Sequence, residues 1–189
     1  MFFGDKIHKK WMMRAISLAS LGRGLTSPNP MVGAVIIDRR GNLISEGFHE
    51  RAGTPHAEAM AFNNLKGDPR GGTIYVNLEP CCHRGKTPPC VDRIISSGLK
   101  RAFVSIKDPD IRVSGKGIKL LKSAGLEVEL GLCEREALEL NKSFIHRNIK
   151  GYAYGVLKWA MSLDGRLGLK NGDSKWITND NSRCFVHKL

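Results

Sequence analysis

"PCCHRGKTPPC", residues 80–90, gathers three cysteines and a histidine in eleven positions and poses a choice between a disulfide staple and a metal site. The whole chain holds five cysteines, an odd number, and Cys133 and Cys184 stand alone. That pattern suits a metal site with spare thiols better than a disulfide framework. The N-terminus has no apolar stretch long enough for a signal peptide, so a cytoplasmic location, where thiols stay reduced, is expected. The longest unbroken apolar run, residues 31–37, falls far short of the ~20 residues a bilayer requires, and no membrane partner is expected.

Working outward, a second chemical segment lies upstream. His56-Ala57-Glu58 opens a predicted helix, entered through Thr54-Pro55 with Thr54 as a cap. Glu79-Pro80-Cys81 ends a predicted strand, and Cys90 sits at the start of another helix. One imidazole and two thiolates, from His56, Cys81 and Cys90, make a three-ligand zinc site whose fourth tetrahedral position is left for water. Glu58, two residues after His56, can face the same cavity without ligating and carry the proton of a water that zinc acidifies. Singly, each of these residues reads as a surface histidine or a core thiol; the combination points to zinc. The pattern matches the first half of the H-x-E…P-C-x-x-C signature of zinc deaminases and departs from the second, because eight residues separate Cys81 from Cys90. Cys82 is the rival ligand. Cys90 is preferred, since the adjacent Cys81 and Cys82 would have to chelate through a strained small ring.

Around these motifs the chain alternates. Residues 6–21 carry Ile7, Trp11, Ala15, Leu18 and Ala19 at helical spacing. Residues 32–38 and 43–48 read as a hairpin of two strands, and residues 56–65 as a helix. Strands are predicted over 73–78, 102–106 and 126–130, and helices over 89–97, 117–124 and 133–146. This makes an α/β fold, a five-stranded sheet built on parallel βαβ units with helices on both faces. After Gly151 the texture changes to a strand over 154–160, a turn, and a return strand over 166–170, giving domains at 1–150 and 151–189. A hairpin with a short tail cannot build its own core. It is expected to pack on the first domain or on another copy of the chain as a homo-oligomer.

The net charge of +12 invites a nucleic-acid partner. The 30 lysines and arginines are nevertheless scattered, with no aromatic residues interleaved for base stacking, so no nucleic acid is expected. A diffuse positive field equally suits a small phosphorylated ligand.

The chain resembles the bifunctional riboflavin-biosynthesis deaminase/reductase family of the cytidine-deaminase superfamily. The likeness is carried by SPNPMVGA (27–34), GFH (47–49), HAE (56–58), LEPCCHRGKTPPC (78–90), DP (108–109) and GKG (115–117). It continues through LKWAMSLDG (157–165) and GDSKWIT (172–178), and so covers essentially the whole chain. It implies a three-layer cytidine-deaminase-like fold with a mixed sheet, followed by the first strands of an incomplete dihydrofolate-reductase-like domain. It further implies that His56, Cys81 and Cys90 bind one zinc and that Glu58 shuttles protons. Asn29, His49, His83 and Lys86 then hold a diaminopyrimidinone carrying a phosphoribosylamino group, the last two meeting its phosphate. In the second domain, Ala160 and Trp176 match NADP-contacting positions and Ser174 a substrate position, with Lys158, Ser162 and Asp164 in the same opening motif. NADPH would be used only if that domain were complete, and no reductase activity is expected of these residues alone. A deaminase acting on a nucleoside or a tRNA base shares the zinc and glutamate but lacks the long Cys81–Cys90 insert. A nucleic-acid-binding protein with a structural zinc would close all four metal positions. Two departures stand out: Cys82, where the family usually has Ser or another small residue, and Asp110-Ile111, where it usually has Asn-Pro.

Overall fold

Runs of apolar residues bounded by glycine and proline turns become the strands of one sheet in the computed structural model, which describes residues 3–83, 88–111 and 113–187. The chain divides into two compact units, Met1–Tyr154 and Gly155–Leu189. In order, the first unit contains α1 (Phe3–Ser20), β1 (Gly33–Ile37), β2 (Leu43–Phe48), α2 (Ala57–Asn63), β3 (Thr73–Leu78) and α3 (Cys90–Ser96). Then come β4 (Arg101–Ile106), α4 (Lys116–Ser123), β5 (Glu127–Leu130), α5 (Glu134–Leu140) and α6 (Lys142–Lys150). The sheet order is β2-β1-β3-β4-β5. β1 runs antiparallel to both β2 and β3, whereas β3, β4 and β5 are parallel. The expected five-stranded mixed sheet with helices on both faces is therefore what forms.

Alternation along the strands sorts the core into two layers. Ala34, Ile36, Ile74 and Ala102 pack under α2, α3 and α4 through Ala61, Ile94 and Leu121. Val35, Ile37, Tyr75 and Phe103 pack under α1 and α5 through Met12, Ala15, Ile16 and Ala137. Tyr75 and Phe103 are neighbours in the parallel register, and their rings stack at 5.1 Å. Two glycines set how close the helices come. A Cβ on Gly33 would collide with the carbonyl of Ala15 in α1, and one on Gly47 with the backbone of Ala57 and Ala61 in α2. The second approach matters for function, because α2 carries His56 and Glu58 at its start.

The helix expected over 133–146 is broken. Asn141 leaves helical geometry (φ −102°, ψ 17°) and separates α5 from α6. Its buried amide accepts from the Met31 N–H at 2.8 Å and donates to the Met31 carbonyl at 2.9 Å. Asn77 does the same from the other side, accepting from Gly33 N–H at 2.8 Å and donating to Met31 O at 3.0 Å. Two side-chain amides thus replace the ladder partner that the strand entering β1 lacks there. They fix the segment leading from Asn29 into the sheet.

The strands expected over 154–160 and 166–170 are not formed. Among its described residues the second unit contains α7 (Asp180–Val186), whose N-terminus is capped by Asn179 accepting from Ser182 N–H, and no strand. The turns do close, with Ser162 N–H donating to Arg166 O and Leu169 N–H to Asp173 O. Their flanks find no ladder, because a two-stranded hairpin with nothing to cover its apolar side chains is marginal in water. Leu157 and Leu163 accordingly stand exposed. No described helix of the chain is long and apolar enough to cross a membrane.

Replacing Asn141 with alanine leaves the partly buried Met31 N–H and carbonyl without this partner, and an unsatisfied polar group costs about 2 kcal/mol. Urea denaturation of Asn141→Ala should show a loss of that size. A change within about 0.5 kcal/mol, the size of an ordinary surface substitution, would mean that the amide clamp does not stabilise the fold.

Candidate metal centre and cleft

The antiparallel β1 lies between β2 and the parallel half of the sheet, so several chain segments meet at one end of the molecule. These are the run before β1, the residues after β2 and those following β3 and β4. Crevices beyond the carboxyl ends of strands, where the sheet order reverses, are where open α/β folds bind ligands. A cleft of about 330 Å³ opens there, lined by Asn29, His49, His56, Glu58, Cys81 and His83, among others.

Its floor is built from two helix starts and a strand end. His56 is the N-cap residue of α2, and Cys90 is the first residue of α3. Cys81 follows β3, where its sulfur accepts the Cys90 N–H at 3.3 Å and its carbonyl accepts the Val91 N–H at 3.2 Å. Two of the N–H groups that a helix start leaves unpaired are thereby used to bind the end of the strand to the helix. His56 Nδ1 stands 3.5 Å from both sulfurs. The three donor atoms lie within 4.8 Å of one another. Cys82, next in sequence, packs its side chain against the apolar cluster under α2 and α3 instead.

The donor groups of this cluster shift one another's protonation. Cys81 is held down to about 4, first by the hydrogen bond from Cys90 and then by His56, while Cys90 is pushed up by donating to Cys81 and by burial. One proton is shared where two thiolates would otherwise repel each other. His56 is raised chiefly by its hydrogen bond to Cys81. Glu58, only 3% exposed, is pushed up to about 7, first by burial and then by the nearby Cys81. An imidazole and two thiols at this spacing fit zinc, which would let both sulfurs ionise at neutral pH.

The other side chains fall into supporting places. His49, buried, has its Nδ1 3.1 Å from the Pro55 carbonyl, an acceptor only, so Nδ1 carries the hydrogen. Nε2 is then the acceptor for the Asn29 amide at 3.2 Å, which turns the Asn29 oxygen outward. Glu79 lines the cleft, but its carboxylate accepts from the N–H groups of Asp108, Gly115 and Ile118 at 3.2, 2.8 and 3.2 Å. It caps α4 from outside the helix. The loop after β4 is closed by Asp108, whose carboxylate accepts the Asp110 N–H at 2.8 Å. Burial raises Asp108 above the usual carboxylate range.

Of the other expected site residues, Lys86 lies outside the described residues. In the second unit, Ser174 and Trp176 line a shallow hollow with Ser162 and Asp164, and Arg183 lies over the Trp176 ring. Ala160 is not among the residues of that hollow. Nothing in the sequence marks Phe144, Arg147 and Asn148, which α6 brings to the cleft. Arg147 bonds to the Pro28 carbonyl, more than a hundred positions away.

Residues 5–106 match the family model described as the cytidine and deoxycytidylate deaminase zinc-binding region. The chain belongs to that family. A second model, the RibD C-terminal domain, matches residues 153–189 of this deaminase-family chain. The chain is 48% identical to the riboflavin biosynthesis protein RibD of Aquifex aeolicus over 97% of its own length and 51% of the relative's. It is 46% identical to the Escherichia coli protein of the same name over 95% of this chain and 48% of that one. It therefore spans about half the length of the curated relatives it matches. A crystal structure of a Thermotoga maritima diaminohydroxyphosphoribosylaminopyrimidine deaminase/5-amino-6-(5-phosphoribosylamino)uracil reductase superposes with a TM-score of 0.93 at 44% identity, covering 98% of this chain and 53% of that one. The Aspergillus oryzae Rib2 deaminase in complex with DARIPP superposes at 0.60 and 27% identity, covering 76% and 94%. The chain groups with the riboflavin-biosynthesis deaminase/reductases within the superfamily.

Burial of Glu58 has a consequence for stability. In the metal-depleted protein its folded pKa lies above the unfolded value of 4.5, so between pH 4.5 and about 7 the folded state holds a proton that the unfolded state has lost. Stability should fall as pH rises through that window, by about 3 kcal/mol at its upper end. Thermal melts of chelator-treated protein should show Glu58→Gln gaining on wild type from pH 5 to pH 8. Parallel pH profiles for the two would contradict this account of Glu58.

Proposed function

We propose that this chain hydrolytically deaminates 2,5-diamino-6-(5-phosphoribosylamino)pyrimidin-4-one to 5-amino-6-(5-phosphoribosylamino)uracil and ammonia. The observation that carries the reading is a fully buried carboxyl, Glu58, placed beside three metal-donor atoms on the floor of a cleft open to solvent. The relatives support the substrate class, since the Thermotoga protein is named for this compound and the Aspergillus enzyme was crystallised with DARIPP.

Zinc held by His56, Cys81 and Cys90 would supply a Lewis acid that makes a water nucleophilic at neutral pH. The remaining work falls to the chain itself. Glu58, buried and lining the cleft, is placed to accept a proton and to return it. Glu58 takes one proton from the attacking water and delivers it to the ring nitrogen, then takes the proton of the hydroxyl added to the ring carbon and passes it to the amine, which leaves as ammonia as the carbonyl forms. The amine-bearing carbon of a neutral amidine-like ring is a poor electrophile, so ring protonation is needed alongside water activation. Asn29, with its amide fixed by His49, presents an oxygen to the ring's N–H groups. His83 and Lys86 are assigned to the phosphoribosyl end on the family resemblance. Ala160 and Trp176 are assigned to NADP, and Ser174 to substrate, on the same basis.

The test is ammonia release by zinc-loaded protein from the phosphoribosylated pyrimidine, from cytidine and from a tRNA anticodon stem. Release from the first alone is expected. Glu58→Gln should lower kcat by about 10³-fold, within the range of general acid–base catalysis. Release only from cytidine or tRNA would overturn the substrate, and full activity in Glu58→Gln would overturn the mechanism.

A further inference from the structure

The cleft has an acidic wall and a basic rim. Glu79, Asp108 and Asp110 line the side formed by the end of β3 and the loop that follows β4. A further part of the lining comes from α6. The break at Asn141 starts a new helix there, and Phe144, Arg147 and Asn148, at i, i+3 and i+4, share the face turned to the cleft. Arg147 is the one lysine or arginine among the described residues lining this cleft. Its Nη2 donates to the Pro28 carbonyl at 2.9 Å, which seats the guanidinium beside Asn29. A neutral carbonyl consumes one of its five N–H donors and none of its charge. Among the described residues it has no carboxylate partner, whereas Arg14, Arg70, Arg101 and Arg166 are all paired.

A phosphate dianion tethered to a pyrimidine on the cleft floor needs a cationic donor within reach. An anchored arginine with an unspent charge and a planar fork of donors is the group that recognises phosphate with two parallel hydrogen bonds. We infer that Arg147 contacts the substrate's phosphate and sets the preference of this cleft for a phosphorylated over an unphosphorylated pyrimidine. This rests on the deaminase reading above and adds to it a group from a different element than the insert carrying His83 and Lys86. The contact is proposed as uniform binding, made alike in ground and transition states, and the loss of such a contact raises KM with kcat unchanged.

The experiment compares wild type, Arg147→Ala and Arg147→Lys on the phosphoribosylated pyrimidine and on the same compound stripped of its phosphate. Arg147→Ala should raise KM for the phosphorylated substrate about tenfold, leaving kcat and the unphosphorylated substrate unchanged, since one strong contact is worth roughly that factor. Arg147→Lys should restore part of the loss, keeping charge without the fork. An unchanged preference in Arg147→Ala, or an equal loss on both substrates, would overturn the inference. A parallel arm needs no turnover: saturation-transfer NMR of ribose 5-phosphate with metal-depleted protein. Signal in wild type that Arg147→Ala loses supports phosphate recognition by Arg147, and signal retained in the variant overturns it. If wild type released no ammonia from either pyrimidine, the deaminase reading would fail and the NMR arm would still decide this one.

Discussion

Two sulfurs and an imidazole nitrogen are held within 4.8 Å of one another beside a carboxyl removed from water, an arrangement that suits a cation. The protein keeps them together because the backbone around them is fixed by other means. The N–H groups of Cys90 and Val91 bind the end of β3 to the start of α3. Gly47 lets α2 press onto β2, which brings His56 and Glu58 to the same end of the sheet. Glu79 organises the neighbouring loop through three backbone N–H groups. A divalent cation would bind both sulfurs as thiolates, and Glu58, buried and lining the cleft, is placed to move protons.

Much of this was legible in the sequence wherever the deciding forces are local. Alternating β-branched runs located the five strands, and proline and glycine marked the start and end of α3. His56, Glu58, Cys81 and Cys90 could be picked out because each sits at a helix start or strand end, where side chains converge. The break at Asn141 could not be read. Leu138, Leu140 and Ile145 continue a helical pattern across it, and the groups that win Asn141 away from the helix belong to Met31. Arg147 was missed for the same reason, since nothing near it in sequence signals that its helix will cross the run before β1.

Residues 155–189 teach the complementary lesson. Their alternation and turns read as a hairpin, and the turns do form, but strands exist only where a partner supplies hydrogen bonds and cover. Periodicity reports which conformation a segment would take within a sheet; it does not supply the sheet. The first unit has its partners, and there sequence and structure agree nearly strand for strand.

The geometry favours His56, Cys81 and Cys90, and not Cys82, as the residues that would hold the metal. The most direct measurement is the zinc content of the purified protein by elemental analysis, for wild type and for alanine variants at each cysteine of the 81–90 stretch. The account predicts about one zinc per chain in wild type and in Cys82→Ala, as for a single site of this type, with loss in Cys81→Ala and Cys90→Ala. Zinc retained in Cys90→Ala, or lost from a folded Cys82→Ala, would contradict it.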